Sequence, residues 1–154
     1  SRSVKEADGR MVIDLDTYIP SFLSSINNAL SRGASQKYRE HFGIGIVEWR
    51  VMSMLAIEPN IQAVRIGEVI CADKGQVSRA LLKLSEARLV ESEIVSADVR
   101  KKNWWLNDAG YAMHARILEI AIERERRLIA GCDPEDIEAF LRVARIMGSN
   151  LSNF

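Results

Sequence analysis

The feature that most narrows the fold is a pair of short amphipathic segments set three residues apart. Over 62–70 the apolar residues Ile66, Val69 and Ile70 share one face, and over 74–88 Val77, Ala80, Leu81 and Leu84 repeat at spacings of three and four. That is the period of helices with one buried side. Only Cys71, Ala72 and Asp73 lie between them, so the pair reads as a helix-turn-helix. Asp73 suits the N-cap of the second helix, and Gln76, three residues on, can complete a capping box by reaching back to the Asp73 amide. With the apolar stripe turned inward, Gln76, Ser78, Arg79, Leu82 and Lys83 fall on the opposite face.

The period then changes. Residues 89–95 and 102–106 are rich in β-branched and aromatic side chains and flank the polar turn Ser96-Ala97-Asp98-Val99-Arg100-Lys101, which predicts a β-hairpin with a basic tip. Upstream, Tyr18, Phe22, Ile26 and Leu30, with Ile19 and Leu23 beside them, predict a long helix over 14–41 that bends or breaks near Gly33. Val47, Val51, Met54 and Leu55 mark a second helix, ended by Glu58-Pro59-Asn60 because the residue before proline resists the helical conformation. Downstream, Asn107 caps a helix over 108–130, striped by Ile117, Ala121 and Leu128 and by Leu118, Ile122 and Ile129. A final helix starts at Pro134 after Asp133 and carries Ile137, Phe140, Leu141, Ala144, Ile146 and Met147.

The expected fold is therefore mainly α with a small β-hairpin wing. Residues 1–13 read as a flexible N-terminal arm and 14–154 as a single domain, with a winged helix-turn-helix core at 46–106. The helices of 14–42 and 107–154 bear more apolar surface than a small domain covers, and a second copy of the chain is the economical partner.

Charge and composition exclude several classes. Lys and Arg together number 21, as do Asp and Glu, so affinity for a polyanion must come from a local patch. Arg50, Glu58, Arg65 and Glu68 interrupt the apolar stretches well short of the roughly 20 residues of a membrane span. The start of the chain, with Arg2, Lys5, Glu6, Asp8 and Arg10, is not a signal peptide. Cys71 and Cys132 are too far apart and too few for a disulfide framework or a zinc site, which suits a reducing cytoplasm. His41 and His114 are isolated, so no metal is expected. Gly43-Ile44-Gly45 is no dinucleotide fingerprint, and no phosphate-loop, zinc-protease or nucleophile-elbow motif occurs. Glu119 and Glu123 sit among Arg124, Arg126 and Arg127, where helix-surface ion pairing accounts for them. Neither an enzyme nor a cofactor is indicated.

A helix-turn-helix followed by a basic hairpin is the winged DNA-binding arrangement, with the second helix in the major groove and the wing on the backbone or minor groove. Arg79 can pair with guanine O6 and N7, and Gln76 with adenine N6 and N7. Lys74, Ser78 and Lys83 can hold phosphates, and Arg100, Lys101 and Lys102 serve the wing.

Glu48-Trp49-Arg50-Val51, Asp73-Lys74-Gly75-Gln76-Val77-Ser78-Arg79-Ala80-Leu81, Leu89-Val90, Asp98 with Arg100, and Leu106 with Ala109-Gly110 together resemble the MarR family of bacterial transcriptional regulators. The resemblance covers nearly all of 14–151. It implies a homodimer joined by its first and last helices on a pseudo-palindromic operator of double-stranded DNA, acting as a repressor released by a small molecule or by oxidation. It places Lys74, Gln76, Val77, Ser78, Arg79 and Lys83 on the recognition helix and Arg100 in the wing, with Asp98 structural. Four departures stand out: Arg88 replaces a helix-ending glycine, Cys71 occupies a small-residue position, Asn107-Asp108 replaces Thr-Pro, and the Trp104-Trp105 pair should turn one ring inward and one outward. A small aromatic effector is expected near Tyr18, Trp49 and Arg50, against the simpler reading of Trp49 as core and Arg50 as surface. Cys71 is a candidate oxidant sensor. The alternative function is a winged-helix protein-interaction module without direct DNA readout.

Overall fold

The computed structural model describes residues 1–98 and 101–153; Val99, Arg100 and Phe154 lie outside the described residues. The elements run β1 (Val4–Ala7), β2 (Arg10–Ile13), α1 (Ile19–Phe42), α2 (Ile46–Ile57), α3 (Ala63–Ile70), α4 (Lys74–Glu86), β3 (Val90–Ile94), β4 (Lys102–Leu106), α5 (Asp108–Leu128) and α6 (Pro134–Leu151). Where one domain was expected over 14–154, the chain divides into two compact units, 1–117 and 118–154, with α5 beginning in the first and continuing in the second.

The core of the first unit follows from the stripes. α2 packs on α3 and α4, which also pack on each other. Val51, Met52 and Leu55 of α2, Ile66 of α3, and Val77, Ala80, Leu81 and Leu84 of α4 are buried, along with Leu89, Val90, Leu106 and Ile117. Each large aliphatic side chain removed from water this way contributes about 1.5–3 kcal/mol. α3 ends at Cys71, which takes a left-handed φ of 56°. α4 ends before Arg88, whose φ of 59° confirms a left-handed turn where glycine would be unstrained.

β3 and β4 pair antiparallel from Val90↔Leu106 to Ile94↔Lys102. Ile61, just before α3, adds a single bridge on the far side of β4: the Trp104 amide donates to the Ile61 carbonyl at 2.9 Å, and the Ile61 amide donates back at 3.3 Å. The two tryptophans do not divide into one buried and one exposed ring; both are half-buried. Lys102, two residues along on the same side of the strand, sets its ammonium 5.8 Å from the Trp104 ring centre and supplies part of the cover.

One side chain joins the end of α4, the hairpin and α5. The Asn107 Oδ1 accepts from the Gly110 amide at 2.8 Å, capping α5, while its Nδ2 donates to the Arg88 carbonyl at 2.8 Å. The Asn107 amide donates to the Leu89 carbonyl. Gly110 is what lets α5 come this near, because a Cβ there would lie 2.1 Å from the Leu89 carbonyl oxygen.

Three expectations at the N-terminal end change. α1 starts at Ile19 rather than 14, since Pro20 is tolerated only in a first turn. It runs unbroken through Gly33, whose propensity cost of about 1 kcal/mol is offset where Ala34 and Tyr38 enter the core. The arm at 1–13, expected to be loose, pairs as a hairpin from Val4↔Ile13 to Ala7↔Arg10. Asp8 and Gly9 both have positive φ, 51° and 75°, the two-residue hairpin turn that an Asp-Gly pair favours. All eight strand residues are exposed.

In the second unit, Glu123 pairs with Arg126 and Arg127 along the helix surface, as expected of that charge run. α6 begins at Pro134 after Asp133 and buries no residue. Replacing Gly110 by Ala should destabilise the chain by roughly 1–3 kcal/mol or more, because backbone rather than a flexible side chain must yield. Urea unfolding of the variant against the native chain measures it, and an unchanged midpoint would contradict the close approach.

Candidate nucleic-acid interface

α4 presents its polar face outward because the opposite stripe is fully used in the core. Lys74, Gln76, Ser78, Arg79 and Lys83 are exposed. Val77 is the exception among the expected contact residues: at 1% exposure it faces the core, so it holds the helix in place and touches no base. Leu82, 60% exposed, extends the outward face with an apolar side chain that was not singled out as a contact, although its place on the α4 period marks it.

The start of α4 is locked by the expected capping box. The Asp73 carboxylate accepts from the Gln76 amide at 2.8 Å, and the Gln76 Oε1 accepts from the Asp73 amide at 3.1 Å. That second bond alters the role first read for Gln76. Pairing with adenine N6 and N7 would call on the same Oε1, which would then have to share its lone pairs between the base and the cap. Lys83 is also engaged, its ammonium 3.7 Å from the Glu48 carboxylate of α2. Lys83 lies mostly in solvent whereas the Glu48 side chain is largely covered, and at 3.7 Å the tie places Lys83 toward α2. Arg79 makes no such commitment to α2; its guanidinium lies back over Gly75.

The hairpin lies beside this face. A cleft of about 760 Å³ is lined by Lys74 and Ser78 of α4, by Val64, Gly67 and Glu68 of α3, and by Asp98, Lys101 and Lys102 of the hairpin. Two elements distant in sequence thus bring cations to one opening. Within the turn, the Ser96 hydroxyl accepts from the Asp98 amide at 3.2 Å, and the Lys101 amide donates to the Asp98 carbonyl at 2.9 Å, so the backbone of residue 98 shapes the tip. Arg100 lies outside the described residues.

The residues expected around a small effector are distributed differently. Tyr18 stands at the N-cap of α1 and lines a shallow groove made by residues 15–26. Trp49 is packed edge-on to Tyr38, ring centres 6.0 Å apart, and stacks on His114 at 5.1 Å. Arg50 reaches Ser31, Nη2 to Oγ 3.5 Å. Trp49 and Arg50 are neighbours on α2 whose side chains are already occupied, and the Tyr18 groove includes neither. Cys71 is exposed at the end of α3. Among the described residues no group of His, Cys, Asp and Glu could hold a metal ion, and no helix is long and apolar enough to cross a membrane.

Comparison with known proteins agrees on the architecture. No protein-family model matches the chain. The transcriptional regulator HosA of Escherichia coli is 25% identical over 100 residues, 65% of this chain and 74% of HosA. A MarR/EmrR family transcriptional regulator from Acinetobacter superposes with a TM-score of 0.83 at 25% identity, covering 92% of this chain and all of that one. The S. aureus MepR–DNA complex aligns at a TM-score of 0.76 and 20% identity, over 88% of this chain and 98% of MepR. The first two are named as regulators of transcription, not enzymes, and the third is named as bound to DNA.

Two measurements test the local physics. Asp73→Ala removes the carboxylate half of the capping box, leaving the residue-73 amide free to donate to Gln76, and should cost about 1 kcal/mol, read as a lowered urea midpoint; no change would mean that the carboxylate bond is not formed in solution. Burial against Trp49 holds the His114 imidazole below its ordinary value of 6.5. The unfolded chain then binds the proton more tightly, so stability is full above that pH and falls as pH drops through it, levelling once the folded imidazole also protonates. His114→Phe should flatten this part of a midpoint-against-pH profile from 7.5 to 5, and an identical slope would dismiss the buried imidazole as its source.

Proposed function

The chain carries the winged-helix, DNA-binding fold of MarR-family transcriptional regulators, and from that premise we propose that it is a cytoplasmic homodimer that reads a pseudo-palindromic operator sequence and represses transcription from it. The observation that carries this reading is the shared cleft: Lys74 and Ser78 of α4 stand across from Lys101 and Lys102 of the hairpin, with Arg79 exposed on the same helix. Entering a major groove, α4 meets base edges with Arg79, and the hairpin cations hold the flanking backbone. The two copies then address half-sites about one helical turn, roughly 34 Å, apart.

Dimerisation is supported by apolar side chains that the chain alone leaves in water. Ile19, Phe22, Leu23 and Ile26 are exposed along α1, as are Phe140, Leu141 and Ile146 along α6. Such faces are costly in a monomer. Release by a signal completes the proposal. A small aromatic acid acting near Trp49 and Arg50 is one route, with the occupied state of both side chains requiring that the Trp49–His114 stack open. Oxidation of the exposed Cys71, in the turn between α3 and α4, is the other.

Arg79→Ala should weaken binding to an enriched duplex by about 1–3 kcal/mol and relax preference at one base pair per half-site, whereas Lys101→Ala should weaken all sequences alike and lower the salt slope by about one. Titrations at several salt concentrations on enriched and scrambled duplexes measure both. Equal losses on the two duplexes for both variants would contradict the assigned roles. Affinity that ignores ionic strength would favour a protein-interaction module instead.

A further inference from the structure

Gly75 is the second residue of α4, a place where alanine would serve a helix better. Its backbone is not left-handed, so no turn demands a glycine there. The space its missing Cβ leaves is used by a side chain one turn further on: a Cβ at Gly75 would lie 3.0 Å from Arg79 Nη1 and 3.3 Å from the Asp73 carboxylate. Arg79 therefore lies back along the helix toward its start, the direction in which helical side chains lean.

This has a consequence for reading DNA. Arg79 is rooted five residues into α4, about 7.5 Å along the axis, whereas groove-entering helices meet base edges with their first residues. Laid over Gly75, the guanidinium is delivered to the level of the first turn, beside Lys74 and the capping carboxylate. We propose that Gly75 is the positioning residue for Arg79, a track that sets where the guanidinium meets a base; this rests on α4 being the groove-entering helix. A Cβ at 75 presses on the guanidinium at 3.0 Å and more lightly on the Asp73 carboxylate at 3.3 Å. The closer contact is with the far end of a flexible chain, so Arg79 does most of the yielding and is shifted off its track.

The test combines a free-protein measurement with a double-mutant cycle. In the unbound native protein, nuclear Overhauser contacts should link the Gly75 α-protons to the Arg79 side chain. On a duplex enriched from a random-sequence library by the native protein, Gly75→Ala should weaken binding roughly two- to tenfold, the upper end being the loss of one arginine–guanine contact. Preference at one base pair per half-site should relax, with a melting temperature no lower than native. In an Arg79→Ala background the same change should add nothing. A loss of equal size in that background, or native affinity in Gly75→Ala, would overturn the proposal. Failure of the native protein to enrich any duplex would instead remove the groove-helix reading on which it stands, so the two failures are told apart by the first titration.

Discussion

The junction at Asn107 fixes the relation between α4 and the hairpin, and the whole interface depends on that relation. A single amide side chain caps α5 through the Gly110 N–H and holds the Arg88 carbonyl at the end of α4. Its backbone closes on Leu89, from which β3 begins. Helix, hairpin and helix are thus tied within a few residues of one another, and Gly110 makes the approach sterically feasible. Were this junction loose, Lys101 and Lys102 would have no defined place relative to Lys74 and Ser78.

With the frame set, the surface chemistry is a matter of which polar atoms are free. A chain with equal numbers of basic and acidic residues has no general attraction for a polyanion. It depends on the few cations gathered about the cleft. Some of the polar face is spent on the protein itself: Gln76 closes the capping box and Lys83 faces Glu48. Arg79 and Ser78 retain the larger freedom to meet a partner.

Elsewhere the protein exposes apolar side chains that its own core does not reach. The outward stripes of α1 and α6 and the apolar members of the β1–β2 hairpin are of this kind. An isolated two-stranded hairpin is marginal in water; this one is favoured by a well-matched Asp8-Gly9 turn and closed at its base by the Asp14 amide donating to the Ser3 carbonyl at 2.8 Å.

Periodicity and capping chemistry made most of the fold readable from residues alone. The α4 stripe, the Asp73–Gln76 box and the Asn107 cap follow from local rules, each acting within a few residues of its cause, whereas the strained turn at Arg88 was implied by the family resemblance. The Asp8-Gly9 turn was equally local but lay in a short, charged segment whose alternation is faint. What tertiary structure decided were the matters of occupancy and proximity. Lys83 was found facing Glu48, and Trp49 and Arg50 were found packed apart from the Tyr18 groove. The place of the hairpin cations opposite α4, and of Arg79 over Gly75, likewise needed coordinates. Sequence states which side chains a helix turns outward, because that depends on a repeat of 3.6 residues. Which atoms those side chains meet depends on elements far away along the chain, and only packing brings them together.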